Sequence, residues 1–294
     1  MKYNISSVPA WLNRQSIRLL TGWLGVRVPQ LEPEAPLIGS HFFGECMHIF
    51  NWIENPESGI FLERPNRFTA LVRINSEKHL VYLPDPGRLR ELMIPGAEVI
   101  VEKRRNSGKT NYDLLLIKSL KFPDKEEIFV SCDSRLSNKF FRFGLDRNIF
   151  EPFKKVAYRT EPPVENGRLD FLLYEDSPHY VEVKSVNLLD TDGVARFPDA
   201  PTKRGSKHLN ELIRLKKAGY KTSIVFMVNR EDALEFSPFE EMDPLFSETL
   251  IKAKKAGVNI IALKNRPGIK TEHLNRIEVN LYPRSFPGYW PTFK

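Results

Sequence analysis

Cysteine is almost missing from this sequence. Cys46 and Cys132 are the only two in 294 residues, and no CxxC spacing occurs. That argues against a disulfide framework or a thiolate zinc site, and it suits a reducing cytosol. Long apolar runs are also missing; none approaches the roughly 20 residues that a membrane span needs. The first residues, "MKYNISSVPAWLNRQS", lack an apolar segment followed by a small-residue cleavage site. No internal repeat is visible. The expectation is a soluble, cytoplasmic protein without a membrane partner. With 41% hydrophobic and 28% charged residues, the chain reads as globular, and its length suits two domains.

Residues 1–55 read as an N-terminal extension. They hold three of the four tryptophans (Trp11, Trp23 and Trp52) and a proline-rich exit, "VPQLEPEAPLIGS". No chemistry is evident there. His41 and His48 flank Cys46, but the apolar, aromatic context argues against a metal site. The aromatics suggest a contact between two copies, a homodimer.

Net charge is +7, and its distribution matters more than its sum. Residues 201–221 carry seven Lys/Arg against one acid, Glu211, whereas 222–260 carry seven acids against four bases. Lys103, Arg104 and Arg105 form a second basic cluster. Charge gathered on particular elements is what a polyanion partner requires, although a solvated helix face would look the same.

Residues 56–135 alternate short apolar strands with turns: "RFTALVRI", "KHLVYLP", "AEVIVEKRR", "NYDLLLIKSL" and "EEIFVSCD". Five strands predict a small barrel of the OB type, with "DPGRLREL" as a short helix capped by Asp85. Phe68, Tyr82 and Tyr112 are candidates for base stacking, although alternation suits Phe68 to the core equally. From 136 to 294 the pattern is mixed α/β. A helix is expected over 138–144, and strands over 155–160, 169–174 and 180–186. A basic helix follows at "KRGSKHLNELIRLKKAGY", then a buried strand at "KTSIVFMVNR", a helix opened by Asp243-Pro244, and two final strands.

"GRLDFLLYEDSPHYVEVKSVNLL" (167–189) poses the chemical question. Asp170, Glu182 and Lys184 interrupt apolar strands, and buried charge is costly unless paired or bound to metal. Glu182 and Lys184 share a strand face, being two residues apart. A hairpin-like loop makes the two strands antiparallel neighbours, so Asp170 can join them. Two carboxylates at one spot favour a hard divalent ion, Mg²⁺ or Mn²⁺. A lysine beside them can orient water or stabilise charge on a phosphate. A Glu–Lys pair on an edge strand, with Asp170 unrelated, is the plainer alternative. Glu161 is a weaker acid candidate, more fitting as a loop residue before Pro162-Pro163. His208, alone on its helix, reads as a packed residue.

The D-x(11)-E-x-K arrangement resembles that of PD-(D/E)XK nucleases. More of the chain, roughly 60–263, resembles the sugar fermentation stimulation protein family, SfsA. The similarity rests on "RPNRFTALV", "LPDPGRLRELMIPGAEV", "RLDFLL", "VEVKSVNLL", "FPDAPTKRGSKHLNEL" and "DPLFSETLIKAKKAGV" in that order. The resemblance implies an OB-like domain joined to a nuclease-like mixed-sheet domain, and DNA binding. It places Asp170, Glu182 and Lys184 on the acidic cluster, and Arg204, Lys207 and His208 on the signature helix. Arg64, Arg67, Phe68, Gly87 and Arg88 fall on the barrel motifs. Tyr82 departs from an expected histidine and Asp85 from a frequent asparagine. The catalytic expectation is Asp170, Glu182 and Lys184, with Asp170 and Glu182 as metal ligands. The nucleic-acid contacts expected are Arg64, Arg67, Arg88, Lys103, Arg104, Arg105, Lys203, Arg204 and Lys207. DNA is the expected partner, and RNA fits the same residues. Two functions follow: DNA binding with divalent-metal-dependent phosphodiester hydrolysis, or a non-catalytic DNA-binding transcriptional regulator. A sugar-phosphate enzyme would share the metal site and leave the basic helix unexplained.

Overall fold

The computed structural model describes residues 53–105, 108–121, 128–150, 153, 156–271 and 277–285. Apart from its last three residues, the expected N-terminal extension lies outside them, as do Cys46, His41 and His48. The described residues belong to one compact unit.

The first part is a closed barrel. Strands β1 (Pro56–Asn66), β2 (Thr69–Ile74), β3 (Glu77–Tyr82), β4 (Glu98–Lys103) and β5 (Tyr112–Lys118) form a sheet in the order β3-β2-β1-β4-β5. A parallel contact between β3 and β5 closes it, which is the OB arrangement. A short β6 (Phe129–Ser131) continues the sheet beside β5. The five barrel strands are thus not quite the five anticipated: β1 is the strand missed, and β6 lies outside the closed ring. Irregular register along β1, between Phe61 and Glu63 and again before Asn66, erases the period-two signal. Inward residues such as Phe61, Val72, Val81, Val99 and Leu114 fill the barrel.

The "DPGRLREL" helix does not form. Residues 83–97 are turns, and Leu89 takes a left-handed backbone, φ +50°, which a helix cannot accept. Asp85 Oδ1 accepts the Gly87 N–H at 2.7 Å, so its side chain makes a tight turn instead of a helix cap.

The second part is a six-stranded mixed sheet. Its members are β7 (Ala157–Thr160), β10 (Phe171–Tyr174), β11 (Pro178–Val186), β14 (Lys221–Val228), β16 (Asn259–Thr271) and β17 (Ile277–Ser285), in the order β17-β16-β14-β11-β10-β7. Short strands β8 (Pro163–Val164), β9 (Gly167–Arg168), β12 (Leu188–Leu189), β13 (Val194–Phe197) and β15 (Glu235–Pro238) make two small sheets. The expected antiparallel pairing is present, with Phe171 opposite Val181; β11 and β14 run parallel.

Both faces of this sheet are covered, so β14 is a continuous apolar run that divides by parity. Val225 and Met227 pack with Phe140, Phe141 and Phe171 under helix α1 (Arg135–Asp146). Ile224, Phe226 and Val228 pack with Leu209 and Leu212 of α2 (Lys203–Lys217) and Leu250 of α3 (Pro244–Lys255). Each such fully buried side chain contributes about 1.5–3 kcal/mol. Thr202 caps α2 through Gly205 N–H (3.0 Å) and Asp243 caps α3 through Phe246 N–H (2.9 Å). Asp243 also accepts the Thr202 N–H at 2.7 Å, fixing the start of α2 against α3.

Polar bonds join the two parts. Asn187 Nδ2 donates to Asp85 Oδ2 at 2.6 Å, Leu89 N–H to Asp199 at 2.6 Å and Leu189 N–H to Glu91 at 3.2 Å. Arg230, fully buried, donates to both Asp232 oxygens and to the Asn187 carbonyl. Among the described residues, no helix is long and apolar enough to cross a membrane.

Candidate active site at the barrel junction

Strand parity aims the site. On β11, Val181 and Val183 enter the α1-side core. Glu182 and Lys184 must therefore face α2, where His208 stands. A cleft of about 310 Å³ opens there, between the barrel's Asp85–Leu89 turn and the Phe197–Gly205 segment. It lies beside the parallel strands β11 and β14, toward their carboxyl ends, where open sheets commonly hold ligands.

Asp170, Glu182 and Lys184 all line this cleft. Asp170 sits just before β10. Its Oδ1 accepts from Asn138 Nδ2 (2.9 Å) and its Oδ2 from the Val183 N–H (2.8 Å). Burial and the neighbouring Glu182 push its pKa up to about 6, against the opposing pull of Lys184. Glu182 is 1% exposed. Burial disfavours its charge, but Lys184 and His208 outweigh that and hold its pKa below the usual carboxylate range. Both partners bond the same oxygen, Oε1. Oε2 is buried and has no partner. One negative charge is thus fixed on Glu182, and a second on Asp170 is resisted.

His208 belongs to this site, which sequence reasoning missed. Its Nδ1 meets Glu182 Oε1, and its Nε2 accepts from Arg204 Nε at 3.4 Å. That pattern assigns the proton to Nδ1. The available signal was the four-residue spacing of Arg204 and His208, which puts both on one helix face. Asn138 was missed as well; nothing in "RLSNKFF" marks it.

The expected nucleic-acid contacts separate into distinct groups. Lys203 and Lys207 are exposed on α2 and, among the described residues, have no hydrogen-bond or ion-pair partner; Arg204 lines the cleft. Arg214, farther along α2, is neutralised by Glu211 and Glu165. Arg64 is spent on structure: it donates to the carbonyls of Arg88, Arg67 and Gly87 at 2.5–2.8 Å. Arg67 donates to the Pro86 carbonyl at 2.9 Å yet still lines the cleft. Arg88 is exposed. Lys103, Arg104 and Arg105 do not line the cleft; Arg104 pairs with Asp113 over the Tyr82 ring, and Arg105 pairs with Glu54. Tyr112 is buried against His79. Glu161 donates its backbone N–H to the Asp170 carbonyl at 2.9 Å, but its side chain is exposed, pairs with Arg168 and does not line the cleft.

Comparison with known proteins agrees with this architecture. Residues 62–123 match the SfsA N-terminal OB domain, and residues 135–270 match the sugar fermentation stimulation protein RE domain. A sugar fermentation stimulation protein homolog from Moorella thermoacetica is 47% identical over 209 residues, covering 69% of this chain and 87% of that protein. The chain belongs to the SfsA family. A homolog from Caldanaerobacter subterraneus subsp. tengcongensis is 39% identical over 234 residues, 78% of this chain and 99% of its own length. The structure of Pyrococcus furiosus SfsA in complex with Ca²⁺ superposes with a TM-score of 0.69 at 30% identity, covering 81% of this chain and 97% of that one. Family membership accounts for the OB barrel and the mixed-sheet domain; the family's name describes a physiological effect and specifies no reaction.

Proposed function

We propose that this SfsA protein binds DNA and hydrolyses its phosphodiester bonds with a divalent ion held by Asp170 and Glu182. The observation that carries the reading is the convergence of both carboxylates and Lys184 on one cleft, with Glu182 Oε2 buried and unpartnered. Left without a ligand, that oxygen costs the fold desolvation energy.

The donor set suits a hard ion. It offers oxygen only, from two carboxylates; among the described residues no third His, Cys, Asp or Glu completes a metal-binding group, so water and phosphate would have to supply the remaining ligands. Mg²⁺ and Mn²⁺ accept such a site, because water and phosphate complete their shells. The related P. furiosus SfsA in complex with Ca²⁺, also an oxygen-seeking ion, supports this choice. When bound, the ion supplies charge stabilisation at the phosphate and a more acidic water.

The remaining roles belong to the chain. His208 and Lys184 keep Glu182 ionised, so it is ready to ligate. Lys184 reaches the cleft with its ammonium on Glu182 Oε1, where it orients water or meets developing phosphate charge. Arg204, steered by His208, faces a backbone phosphate, and Lys203 and Lys207 extend the basic surface along the same helix.

Metal titration by calorimetry tests the reading. Wild type should bind Mg²⁺ or Mn²⁺, and Asp170→Asn and Glu182→Gln should each abolish measurable binding. Equal affinity in all three would make the charges a structural ion-pair cluster and end the proposal.

A further inference from the structure

A second concavity, of about 480 Å³, adjoins the cleft on the barrel side. The two share Arg67, Pro86, Gly87, Ala200 and Pro201, so they form one continuous depression. In the cleft, Asp85, Asp170, Glu182 and Asp199 are matched by Arg67, Lys184, Arg196 and Arg204. The adjoining groove is lined by Arg64, Arg67, Arg88 and Arg90, with no acid in its wall.

These arginines are not equivalent. Arg64 holds the Asp85–Arg88 turn by its carbonyls. Arg67 is tethered by its Nε to Pro86, which sets its guanidinium at the seam between groove and cleft. The Arg88 and Arg90 side chains are exposed and, among the described residues, have neither a hydrogen-bond nor an ion-pair partner, with Asp199 the acid that feels the Arg88 charge. Like charges concentrated along one wall oppose folding and favour a polyanion. Beside them Phe68 is 47% exposed, with the Arg67 guanidinium 5.7 Å from its ring centroid. An arginine-backed aromatic next to a cationic groove matches the stacking platforms of single-strand binders.

Size narrows the ligand. A site of about 300 Å³ is at the lower end of pockets for drug-sized molecules, so the cleft admits about one nucleotide. In a duplex the base faces are stacked on each other and unavailable to Phe68; in a single strand they are free.

We infer that the groove is a track for single-stranded nucleic acid. Phosphates lie along Arg67, Arg88 and Arg90, a base stacks on Phe68, and the strand delivers one nucleotide to the cleft. The inference rests on the reading of the cleft as a phosphodiester site and adds the form of its substrate.

The test is fluorescence anisotropy in EDTA, where no metal-dependent cleavage occurs, with a labelled oligothymidine strand and a blunt hairpin duplex of equal phosphate number. Wild type should bind the strand more tightly than the duplex. Arg88→Ala combined with Arg90→Ala should lower the slope of log K against log salt by about 1.4 for the strand, at about 0.7 per contact. Phe68→Ala should weaken strand binding about 5- to 150-fold and barely change duplex binding, while Phe68→Trp should retain it. Duplex binding equal to or tighter than strand binding, or strand affinity unchanged in Phe68→Ala, would overturn the track and leave the cleft reading standing. Failure of wild type to bind either probe would overturn both.

Discussion

Replacing Asp170 by asparagine should make the metal-free protein more stable at neutral pH. The ordinary aspartate pKa of 3.8 is raised to about 6 by burial and by Glu182. The folded state therefore holds this proton more tightly than the unfolded chain. Ionising Asp170 weakens the fold, a penalty absent below pH about 4 and complete above pH about 6. At about 1.4 kcal/mol per pH unit it amounts to about 3 kcal/mol. Asparagine removes the charge and keeps the shape. Its carbonyl can accept the Val183 N–H, but its amide meets Asn138, whose side chain must turn its oxygen inward. That rearrangement costs about 1 kcal/mol. The net gain of about 2 kcal/mol raises Tm by about 4–8 °C for a chain of this size. Thermal unfolding in EDTA from pH 4 to 8 reads it: the two curves should cross at about pH 4.5, diverge up to about pH 6 and stay about 2 kcal/mol apart above it. With Mg²⁺ at a hundredfold excess over its dissociation constant, wild type alone should gain about 2.7 kcal/mol, reversing the order. Parallel curves in EDTA, or a variant less stable at pH 7.5, would refute the strained carboxylate pair.

Two further outcomes test the scaffold and the basic helix. A Cβ at Gly144 would lie 1.8 Å from the Phe150 ring, which stacks on Phe141; Gly144→Ala should cost about 1–3 kcal/mol or more in denaturant unfolding, and a neutral result would mean that α1 packs otherwise. Lys203→Ala and Lys207→Ala should each reduce the DNA salt slope by about 0.7–0.9, whereas Arg214→Ala, already neutralised by two glutamates, should leave it unchanged; the reverse pattern would move the phosphate path along the helix.

Much of this site was legible because buried charge is conspicuous in an apolar strand. Asp170, Glu182 and Lys184 broke the pattern, and strand parity with a hairpin connection was enough to bring them together. Helix starts were legible at Asp243-Pro244, where capping chemistry is local. Strand β1 was not, because its irregular register removes alternation. The Asp85 turn looked like a capped helix, since an Asp-Pro pair opens both; the left-handed Leu89 that decides between them leaves no mark in composition. Arginine was the least readable residue. Arg64 and Arg88 look alike in sequence, yet one is consumed by carbonyls and the other is free to meet a phosphate. His208 escaped because its role depends on a strand 26 residues earlier, a contact that only the fold creates.

The central claim is metal-dependent phosphodiester hydrolysis at Asp170, Glu182 and Lys184. The most direct measurement is cleavage of a labelled single strand and of a supercoiled plasmid, with Mg²⁺ or Mn²⁺ and with EDTA. Wild type should cut with metal and not in EDTA. Asp170→Asn and Glu182→Gln should be inactive, and Lys184→Ala should bind metal yet cut about a hundredfold more slowly or less. A wild-type protein that binds both metal and DNA but leaves each substrate intact would contradict the account and make this a DNA-binding regulator.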